Sequence, residues 1–445
     1  MSATERPWQG RRLHFLGVGG AGMSGYARAA RALGAEVSGS DAARSAYIER
    51  LSADRVLEAA IGHSVENLPP GAGVELVYST AVGPENVERV AARERGIPEL
   101  TRAELLGELT ALRRTIAVAG THGKTTTASM LVHALRGAGM EPGWLVGGTV
   151  GGGLPNADWG PGEWLVVEAD ESDRSMLSLT VEIALVTNIE LDHHASYRSL
   201  GELREVFREF LRAPARAVVW DRPELLELRE GPVVPYDIDA PELSAGGSQF
   251  DWRGRRVRLV VPGAHNALNA TGALEAARLV GADPAAAVAG IAAFTGAGRR
   301  FQALGRTAGG ALVYDDYAHH PTEVLATLAA ARTLEHRRLV AVFQPHLYSR
   351  TQLLAHDFGR ALALADVAVV LDVYPARERA EEHPGVSGLL IAEAAADAAA
   401  GRPVYWLPGF TEAERVLGGL LGEGDVCLVM GAGDVDRLGR ALVAG

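Results

Sequence analysis

A single lysine lies in a glycine-rich segment that matches a shorter form of the phosphate-binding pattern G-x-x-x-x-G-K-[ST], because Val118 stands where the full pattern has its first glycine. The chain has 43 basic residues, and Lys124 is the one lysine among them. Lysine is a compact point charge and arginine a wide planar fork, so a site that keeps lysine in this arginine-rich chain needs a small cation in a tight space. Residues 120–125 read GTHGKT, in which backbone N–H groups can wrap a phosphate, Lys124 can neutralise β- and γ-phosphate oxygens, and Thr125 can offer its hydroxyl to Mg²⁺. We therefore predict a nucleoside triphosphate and Mg²⁺ site formed by Gly120, Thr121, His122, Gly123, Lys124, Thr125 and Thr126.

Two acidic runs follow predicted strands and offer oxygen ligands for the metal ion that such a loop uses. Residues 168–173 read EADESD, and residues 187–193 read TNIELDH. Both lie at the carboxyl ends of strands, which is the edge where open α/β sheets bind ligands. Mg²⁺ takes few protein carboxylates, so one or two of these acids should bind it, while the others lie behind the ligands, cap helices or face solvent. His193 would be an uncommon ligand for so hard a cation.

A second glycine-rich turn lies near the start of the chain. Gly17, Gly19 and Gly22 fit the pattern G-x-G-x-x-G between a predicted strand and a predicted helix, where a diphosphate can approach the backbone. Asp41 ends the next strand, at the position of the ribose-binding acid of NAD enzymes. Three interpretations stay open on the residues alone: a dinucleotide site, a site for another diphosphate, and a tight turn without a ligand.

Two polar clusters end strands in the last third of the chain. Residues 315–321 read DDYAHHP and begin a predicted helix with proline near its first turn, and residues 343–350 read FQPHLYSR. A single histidine in such a segment is more often structural than catalytic. Two clusters at corresponding strand ends favour a site.

The elements that position these residues are short apolar strands alternating with amphipathic helices, which is the pattern of the α/β class. A first block ends near Arg113, a second begins with the strand before Lys124 and ends near Ala303, and a third follows. The predicted strands are 12–18, 36–40, 75–79, 97–99, 115–119, 164–168, 184–187, 311–315, 338–343, 367–372 and 426–430. The helix after the first glycine turn is predicted over residues 23–33, and the alanine-rich stretch 392–400 is predicted to be helical.

Composition excludes several classes of function. The formal net charge of −12 argues against a nucleic-acid-binding protein, which would carry a basic surface. Cys427 is the one cysteine and lies in an apolar run, so we expect a core strand residue and no internal disulfide. No uncharged apolar run reaches about 18 residues, and the first residues lack the apolar stretch of a signal peptide. We therefore expect a cytoplasmic protein with no membrane partner.

Taken together and in this order, the motifs closely resemble those of the Mur ligases, the ADP-forming amide ligases of peptidoglycan synthesis. The resemblance extends over nearly the whole chain. It rests on HFLGVGGAGMSG (14–25), SGSD (38–41), GHSVENL (62–68), GTHGKTTT (120–127), EADESD (168–173), TNIELDH (187–193), GAHNALN (263–269), GRRFQ (298–302), DDYAHHPTE (315–323), FQPHLYSRT (343–351), DVYPARE (372–378) and GAGD (431–434).

The resemblance implies an α/β protein of three domains: an N-terminal Rossmann-like domain for a UDP-sugar (1–113), a central P-loop ATPase with a parallel sheet (114–302) and a C-terminal Rossmann-like ligase domain (303–445). It assigns the UDP-sugar to Gly17, Gly19, Gly20, Ala21, Gly22, Ser40, Asp41, His63, Ser79, His346 and Arg350. It assigns ATP to the lysine loop with His265, Asn266, Asn269, Arg300 and Asp315, and Arg299 could take the place of Arg300. Thr125, Glu168 and His193 would hold Mg²⁺, and Lys124, His193, His319 and Arg350 would be catalytic.

Several positions depart from the family pattern. Leu347 stands where many members carry arginine, Ala195 replaces an acid, and Arg174 occupies a place that is usually small. Residues 194–212 contain no lysine, so the carbamylated lysine of some sister ligases is impossible there. This absence agrees with the alanine-adding branch of the family.

The reaction implied by the resemblance joins L-alanine to UDP-N-acetylmuramate with ATP and Mg²⁺, through an acyl phosphate, and forms ADP and phosphate. We expect these small molecules as the partners of a monomer or weak homodimer. The nearest alternative is the recycling ligase that joins a murein tripeptide to the same sugar. Two alternatives from other classes are an NAD-dependent oxidoreductase, which would leave the lysine loop without a task, and a non-catalytic nucleotide-binding regulator.

Overall fold

A computed structural model of the chain describes residues 6–192 and 196–444. Its first sheet is fully parallel, with the strand order β3-β2-β1-β4-β5, which is the Rossmann order without a sixth strand. The strands are β1 (Arg12–Leu16), β2 (Glu36–Asp41), β3 (Ala60–Ile61), β4 (Val74–Tyr78) and β5 (Glu99–Thr101), and the helices are α1 (Ala21–Ala32), α2 (Ala46–Ala53), α3 (Val87–Glu94) and α4 (Arg102–Ala111). Helix α1 begins two residues earlier than predicted and includes Gly22, the last glycine of the pattern.

The second sheet has seven strands in the order β12-β11-β10-β6-β9-β7-β8, all parallel except the last pair. Strand β6, which precedes the lysine loop, lies at its centre and is almost entirely buried. The strands are β6 (Arg114–Ala119), β7 (Gly143–Leu145), β8 (Ala157–Asp158), β9 (Trp164–Ala169), β10 (Ile183–Val186), β11 (Arg216–Trp220) and β12 (Val233–Tyr236), and the helices are α5 (Lys124–Gly137), α6 (Leu200–Phe210) and α7 (Pro223–Leu226).

A small antiparallel sheet and two helices follow. The sheet consists of β13 (Glu242–Ser244), β14 (Gly247–Trp252) and β15 (Arg255–Leu259), and the helices are α8 (Ala264–Leu279) and α9 (Pro284–Ala292). This antiparallel sheet is absent from the predicted strands, because charged residues such as Arg255, Arg256 and Arg258 interrupt the apolar pattern of β15.

The last sheet has six strands in the order β16-β17-β21-β18-β19-β20, and only the β16–β17 pair is antiparallel. Apolar clusters cover both of its faces, one from α10, α11 and α12 and the other from α13 and α14. The strands are β16 (Gln302–Arg306), β17 (Leu312–Asp316), β18 (Arg338–Phe343), β19 (Val367–Val370), β20 (Val404–Trp406) and β21 (Asp425–Met430), and the helices are α10 (Pro321–Ala331), α11 (Tyr348–Leu362), α12 (Leu389–Ala398), α13 (Phe410–Leu420) and α14 (Asp436–Ala444).

The predicted α/β class is confirmed. Two more specific predictions are confirmed as well, namely the helix in the alanine-rich stretch and the core position of the single cysteine. Residues 392–398 are helical within α12. Cys427 is fully buried in β21, where burial raises the pKa of its thiol to about 12, so it is an inert core residue.

The chain forms two compact units. The first contains residues 6–189, 200–237 and 272–291, and the second contains residues 190–192, 196–199, 238–271 and 292–444. Within residues 6–192 and 196–444, none of the helices combines the length and the apolar character needed to cross a membrane.

Candidate active site

The lysine loop connects the central strand β6 to helix α5 in the first unit. Gly123 is the N-cap of α5 with a φ of +81°, a left-handed conformation that glycine adopts without strain. Gly120 has a φ of +137°, and a Cβ at this position would lie only 2.0 Å from the Thr187 hydroxyl. A side chain would therefore clash at Gly120 and would be strained at Gly123. The first N–H groups of a helix have no intrahelical partner, so the N-terminus of α5 is a ready anion site.

The amine of Lys124 is already bound within the loop. Its Nζ donates to the carbonyl oxygen of Gly120 at 2.6 Å and lies 2.9 Å from a carboxylate oxygen of Glu171, which is fully buried. Burial disfavours the charged amine, but the carboxylates of Glu171 and Asp170 outweigh it and raise the pKa of Lys124. Lys124 is therefore a cation at neutral pH. Its amine is held in position by Glu171, an acid of the run EADESD that we had not assigned to the site.

Residues at the end of β10 brace the loop from the neighbouring strand. The Asn188 side chain accepts the His122 N–H at 2.9 Å and donates to the His122 carbonyl at 3.0 Å, and the Asn188 carbonyl accepts the Thr121 N–H at 3.0 Å. The Thr187 hydroxyl donates to the His122 carbonyl at 2.7 Å. The shape of the loop thus depends on two residues of the motif TNIELDH that we had not assigned to the site.

The donor set near the loop suits Mg²⁺. Glu168 lies at the end of β9 and accepts the Gly147 N–H at 2.8 Å, and a Cβ on Gly147 would lie 2.9 Å from the other Glu168 oxygen, so a side chain is excluded beside this carboxylate. Thr125 lies in the first turn of α5. Hydroxyl and carboxylate oxygens are the ligands that Mg²⁺ prefers, so the two residues fit the ion. His193, the third predicted ligand, lies outside the described residues.

The first glycine turn connects β1 to α1, and the structure places Gly17, Ser40, Asp41 and Ser79 around it. The N–H of Gly17, whose φ is +80°, donates to the carbonyl of Ser40 at 2.9 Å, and a Cβ on Gly17 would lie 3.0 Å from that of Ser79. The N–H of Gly19 donates to a carboxylate oxygen of Asp41 at 2.8 Å. The Asp41 carboxylate therefore stabilises the turn, which is a structural role distinct from binding a ribose.

A buried carboxylate lies beneath this turn. Glu88 is fully buried and is bonded by the side chains of His14 (2.9 Å), Ser40 (2.8 Å), Asn67 (3.0 Å) and His63 (3.1 Å). Burial opposes ionisation of Glu88, but these hydrogen bonds outweigh it and lower its pKa to about 2. Two predicted sugar-binding residues, Ser40 and His63, are thus held by a residue that the sequence did not reveal.

In the second unit, the start of α8 carries three residues assigned to ATP. Asn266 and Asn269 are buried, and the Asn266 amide donates to the Pro262 carbonyl at 2.7 Å. His265 is only partly accessible, and burial lowers its pKa to about 4, so the imidazole is neutral at neutral pH.

The two candidate arginines of the nucleotide site differ in their surroundings. Arg299 donates to Asp315 from Nε (3.0 Å), to the Gly431 carbonyl from Nη2 (2.8 Å) and to the Gly433 carbonyl from Nη1 (3.1 Å). Arg300 donates to Glu323 at 3.4 Å. All three nitrogens of Arg299 are used inside the unit. Asp315 is fully buried behind Arg299, and burial raises its pKa.

The strand-end clusters of the second unit lie close together. The His319 and His346 rings lie 6.0 Å apart edge to face, and His346 stacks on Tyr374 at 5.7 Å. Burial, with His319 and Arg350 nearby, lowers the pKa of His346 to about 3, so the ring is neutral near pH 7.

Arg350 is buried and paired within the same unit. Its Nε and Nη2 donate to one oxygen of Asp192 at 3.0 and 2.6 Å, and its Nη1 lies 3.2 Å from Nδ1 of His346. Asp192 belongs to the predicted metal motif, and its contact with Arg350 spans 158 residues of chain. Leu347, one turn before Arg350, is buried and has a φ of +73°, a strained conformation for a leucine.

Comparison with known proteins covers nearly the whole chain. Sequence models match the Mur ligase family catalytic domain at residues 12–114, the Mur ligase middle domain at 118–277, and the Mur ligase glutamate ligase domain at 299–433. The UDP-N-acetylmuramate–L-alanine ligase of Mycolicibacterium smegmatis is 42% identical over 100% of this chain and 97% of its own length. The enzyme of the same name from Rubrobacter xylanophilus is 43% identical over 97% of this chain and 99% of its own.

Comparison with solved structures gives the same result. The UDP-N-acetylmuramate-alanine ligase of Thermotoga maritima has a TM-score of 0.82 at 27% identity and covers 97% of this chain and 98% of its own. A murein peptide ligase from Psychrobacter arcticus has a TM-score of 0.72 at 24% identity over 98% of both chains, which shows a shared fold. The resemblance predicted from the motifs is confirmed, and the chain belongs to the Mur ligase family.

Proposed function

We propose that the protein is an ATP-dependent ligase that joins L-alanine to UDP-N-acetylmuramate in peptidoglycan synthesis, forming ADP and phosphate. The observation that carries this proposal is the identity of 42–43% over nearly the full length of relatives that bear this name. The lysine loop and the first glycine turn support it, since each is a glycine-rich turn before a helix that can bind a phosphate group. An NAD-dependent oxidoreductase has no use for the lysine loop.

The chemistry requires activation of a carboxylate. A carboxylate is a poor acyl donor because its leaving group would be oxide. In the proposed reaction an oxygen of the lactyl carboxylate forms a bond to the γ-phosphorus of ATP while the bond to the β-phosphate oxygen breaks and ADP leaves. The amine of L-alanine then attacks the acyl carbon, and phosphate leaves from the tetrahedral intermediate.

The residues of the lysine loop act on the charge of this phosphoryl transfer. Oxygens of the γ-phosphate would replace the Gly120 carbonyl as partners of the Lys124 amine, while Glu171 keeps the amine charged and in place. Positioned cations of this kind are usually the largest contribution to phosphoryl-transfer catalysis. Mg²⁺, held by Thr125 and Glu168 and in our proposal also by His193, would supply further positive charge at the phosphate oxygens.

The remaining site assignments belong to the same proposal. Gly17, Gly19 and Gly22 of the first turn would hold the UDP diphosphate, with His63 beside it. In the second unit, Arg300 and the α8 residues would contact ATP. His319, His346 and Arg350 would orient the substrate carboxylate, the amine or the phosphate. We also propose the domain limits 1–113, 114–302 and 303–445, a cytoplasmic location where ATP is available, and a monomer or weak homodimer.

A phosphate-release assay tests the proposed function. The protein with MgATP and UDP-N-acetylmuramate should release phosphate when L-alanine is added, and mass spectrometry should show the amide product. L-Ala-γ-D-Glu-meso-diaminopimelate in place of L-alanine tests the recycling ligase. Turnover only with this tripeptide would replace our assignment, and ATP binding without turnover in any mixture would indicate a non-catalytic regulator.

A further inference from the structure

Arg102 links the first domain to the acidic segment that follows β9. It is the first residue of α4, where a capping box between Thr101 and Glu104 fixes the start of the helix. Its Nε donates to Asp173 at 2.8 Å and its Nη2 donates to Asp170 at 2.7 Å. Two of the three guanidinium nitrogens are therefore held, and the plane of the group is fixed.

The third nitrogen lies on the side of the first glycine turn. Nη1 of Arg102 lies 3.9 Å from the point where a Cβ on Gly22 would be, and the Tyr26 hydroxyl lies 3.8 Å from the same point. Gly22 is the last glycine of the G-x-G-x-x-G pattern and lies in the first turn of α1. The missing side chain of Gly22 thus leaves space between the N-terminus of α1 and a fixed guanidinium.

The first turn needs a cation from elsewhere in the chain. Residues 17–27 contain neither lysine nor arginine, and the carboxylate of Asp41 contacts the Gly19 N–H. A helix N-terminus contributes only partial positive charge, whereas a diphosphate carries full negative charges. Charge-assisted bonds from arginine to phosphate are among the strongest hydrogen bonds in proteins.

We propose that Arg102 is a further binding residue for the UDP-sugar, and that its Nη1 donates to an anionic oxygen of the ligand in the first turn, with the diphosphate as the expected partner. Asp170 and Asp173 are positioning residues that hold the guanidinium. The inference rests on the proposed function, because it takes a UDP-sugar as the ligand of this turn. The lactyl carboxylate offers the same chemistry as the diphosphate, and the ligands chosen below separate the two.

Two carboxylates fix the orientation of the guanidinium. Asp170 accepts from Nη2 at 2.7 Å and Asp173 accepts from Nε at 2.8 Å. A guanidinium held in this way loses little conformational freedom when an anion binds to its remaining N–H groups.

Calorimetric titration of UDP and of UDP-N-acetylmuramate into the full-length protein tests the inference. Arg102→Gln should weaken binding by about 10- to 100-fold, the range of a hydrogen bond to a charged group. The matched control is Arg114→Gln, because Arg114 also pairs with two carboxylates, Glu182 and Glu163, but lies beyond the opposite end of α4 from Arg102, at the start of β6. The control should bind both ligands as the wild type does.

Equal weakening for both ligands assigns Nη1 to the diphosphate, and weakening for UDP-N-acetylmuramate alone assigns it to the lactyl carboxylate. Asp173→Asn should weaken binding by a smaller factor in the wild type and have no further effect in Arg102→Gln, since it acts through the arginine. If Arg102→Gln does not fold, Arg102→Lys, which keeps the charge without the fork, should give an intermediate loss.

Unchanged affinity of a folded Arg102 variant for both ligands overturns the inference while leaving the proposed function intact. A wild-type protein that binds neither ligand contradicts the proposed function instead. The two failures are therefore distinguishable in one experiment.

Discussion

Replacement of Glu88 by glutamine should substantially lower the free energy of unfolding of the first domain. Glu88 is fully buried and bonds to the side chains of His14, Ser40, His63 and Asn67. These partners donate hydrogen bonds to an ionised carboxylate. Glutamine keeps the shape of the side chain but removes the charge and turns an NH₂ group toward other donors.

The magnitude follows from the pKa of Glu88. Its hydrogen bonds lower this pKa from the usual 4.5 to about 2. One pKa unit corresponds to about 1.4 kcal/mol, so the ionised carboxylate contributes about 3 kcal/mol to folding at neutral pH. Because the folded pKa is the lower one, this contribution is present above the unfolded pKa and is lost as pH falls toward the folded pKa. By about pH 3 less than half of it should remain.

Denaturant unfolding of wild type and Glu88→Gln measures this contribution, with hydrogen exchange of β1 and β2 to locate the change in the first sheet. The matched control is Glu75→Gln, because Glu75 pairs with Arg11 at 2.7 Å but is partly exposed. Such a pair is worth about 1 kcal/mol or less. Glu88→Gln should therefore lose about 3 kcal/mol at pH 7 and Glu75→Gln much less.

Two results would refute this reasoning. One is an equal loss of unfolding free energy in both variants, which would mean that the buried network adds nothing beyond an ordinary ion pair. The other is a loss in Glu88→Gln that stays constant from pH 7 down to the lowest pH at which the wild type is folded, since the contribution of an ionised carboxylate must shrink over that range.

Four further predictions concern the two loops and the proposed metal site. Lys124→Arg keeps the charge but places a wide fork in a tight loop, so turnover should fall at least about a hundredfold with little change in melting temperature, and normal turnover would contradict it. Gly120→Ala should abolish ATP binding because its Cβ would lie 2.0 Å from a hydroxyl, whereas Gly139→Ala, also at positive φ but with nothing within 4 Å, should bind ATP normally. Gly19→Val should abolish UDP-sugar binding in calorimetry, and micromolar binding of NADH with no UDP-sugar binding by the wild type would reverse the assignment of this turn. His193→Ala should lose Mg²⁺-dependent turnover while melting normally, and wild-type turnover across a Mg²⁺ titration would exclude it as a ligand.

Local patterns revealed much of this protein in advance. The glycine spacing around Lys124 predicted the strand–turn–helix that the structure contains, because the phosphate-binding geometry is built from residues adjacent in sequence. The strand–turn–helix at the first glycine turn and the position of the histidines after β17 and β18 were predicted for the same reason. The α/β class followed from the alternation of apolar strands and helices, and it is confirmed.

Contacts between distant residues could not be predicted in this way. Glu88 reaches His14 across 74 residues and lies on a helix that looks like an ordinary polar surface in the sequence. Arg102 reaches Asp170 across 68 residues, and Arg350 reaches Asp192 across 158. The sequence alone does not show whether a charged residue is buried or solvated, because burial depends on contacts that form only in the fold.

The solitary lysine has a practical consequence for studying motion. Its amine is held by the Gly120 carbonyl and Glu171 and is mostly shielded from solvent. An amine-directed acylating reagent should therefore modify it only when the loop opens locally, and the α-amino group, which peptide mapping separates, is the one competing site. The labelling rate of Lys124 would then time the opening of a nucleotide loop in the unmodified protein, with no engineered probe and almost no background.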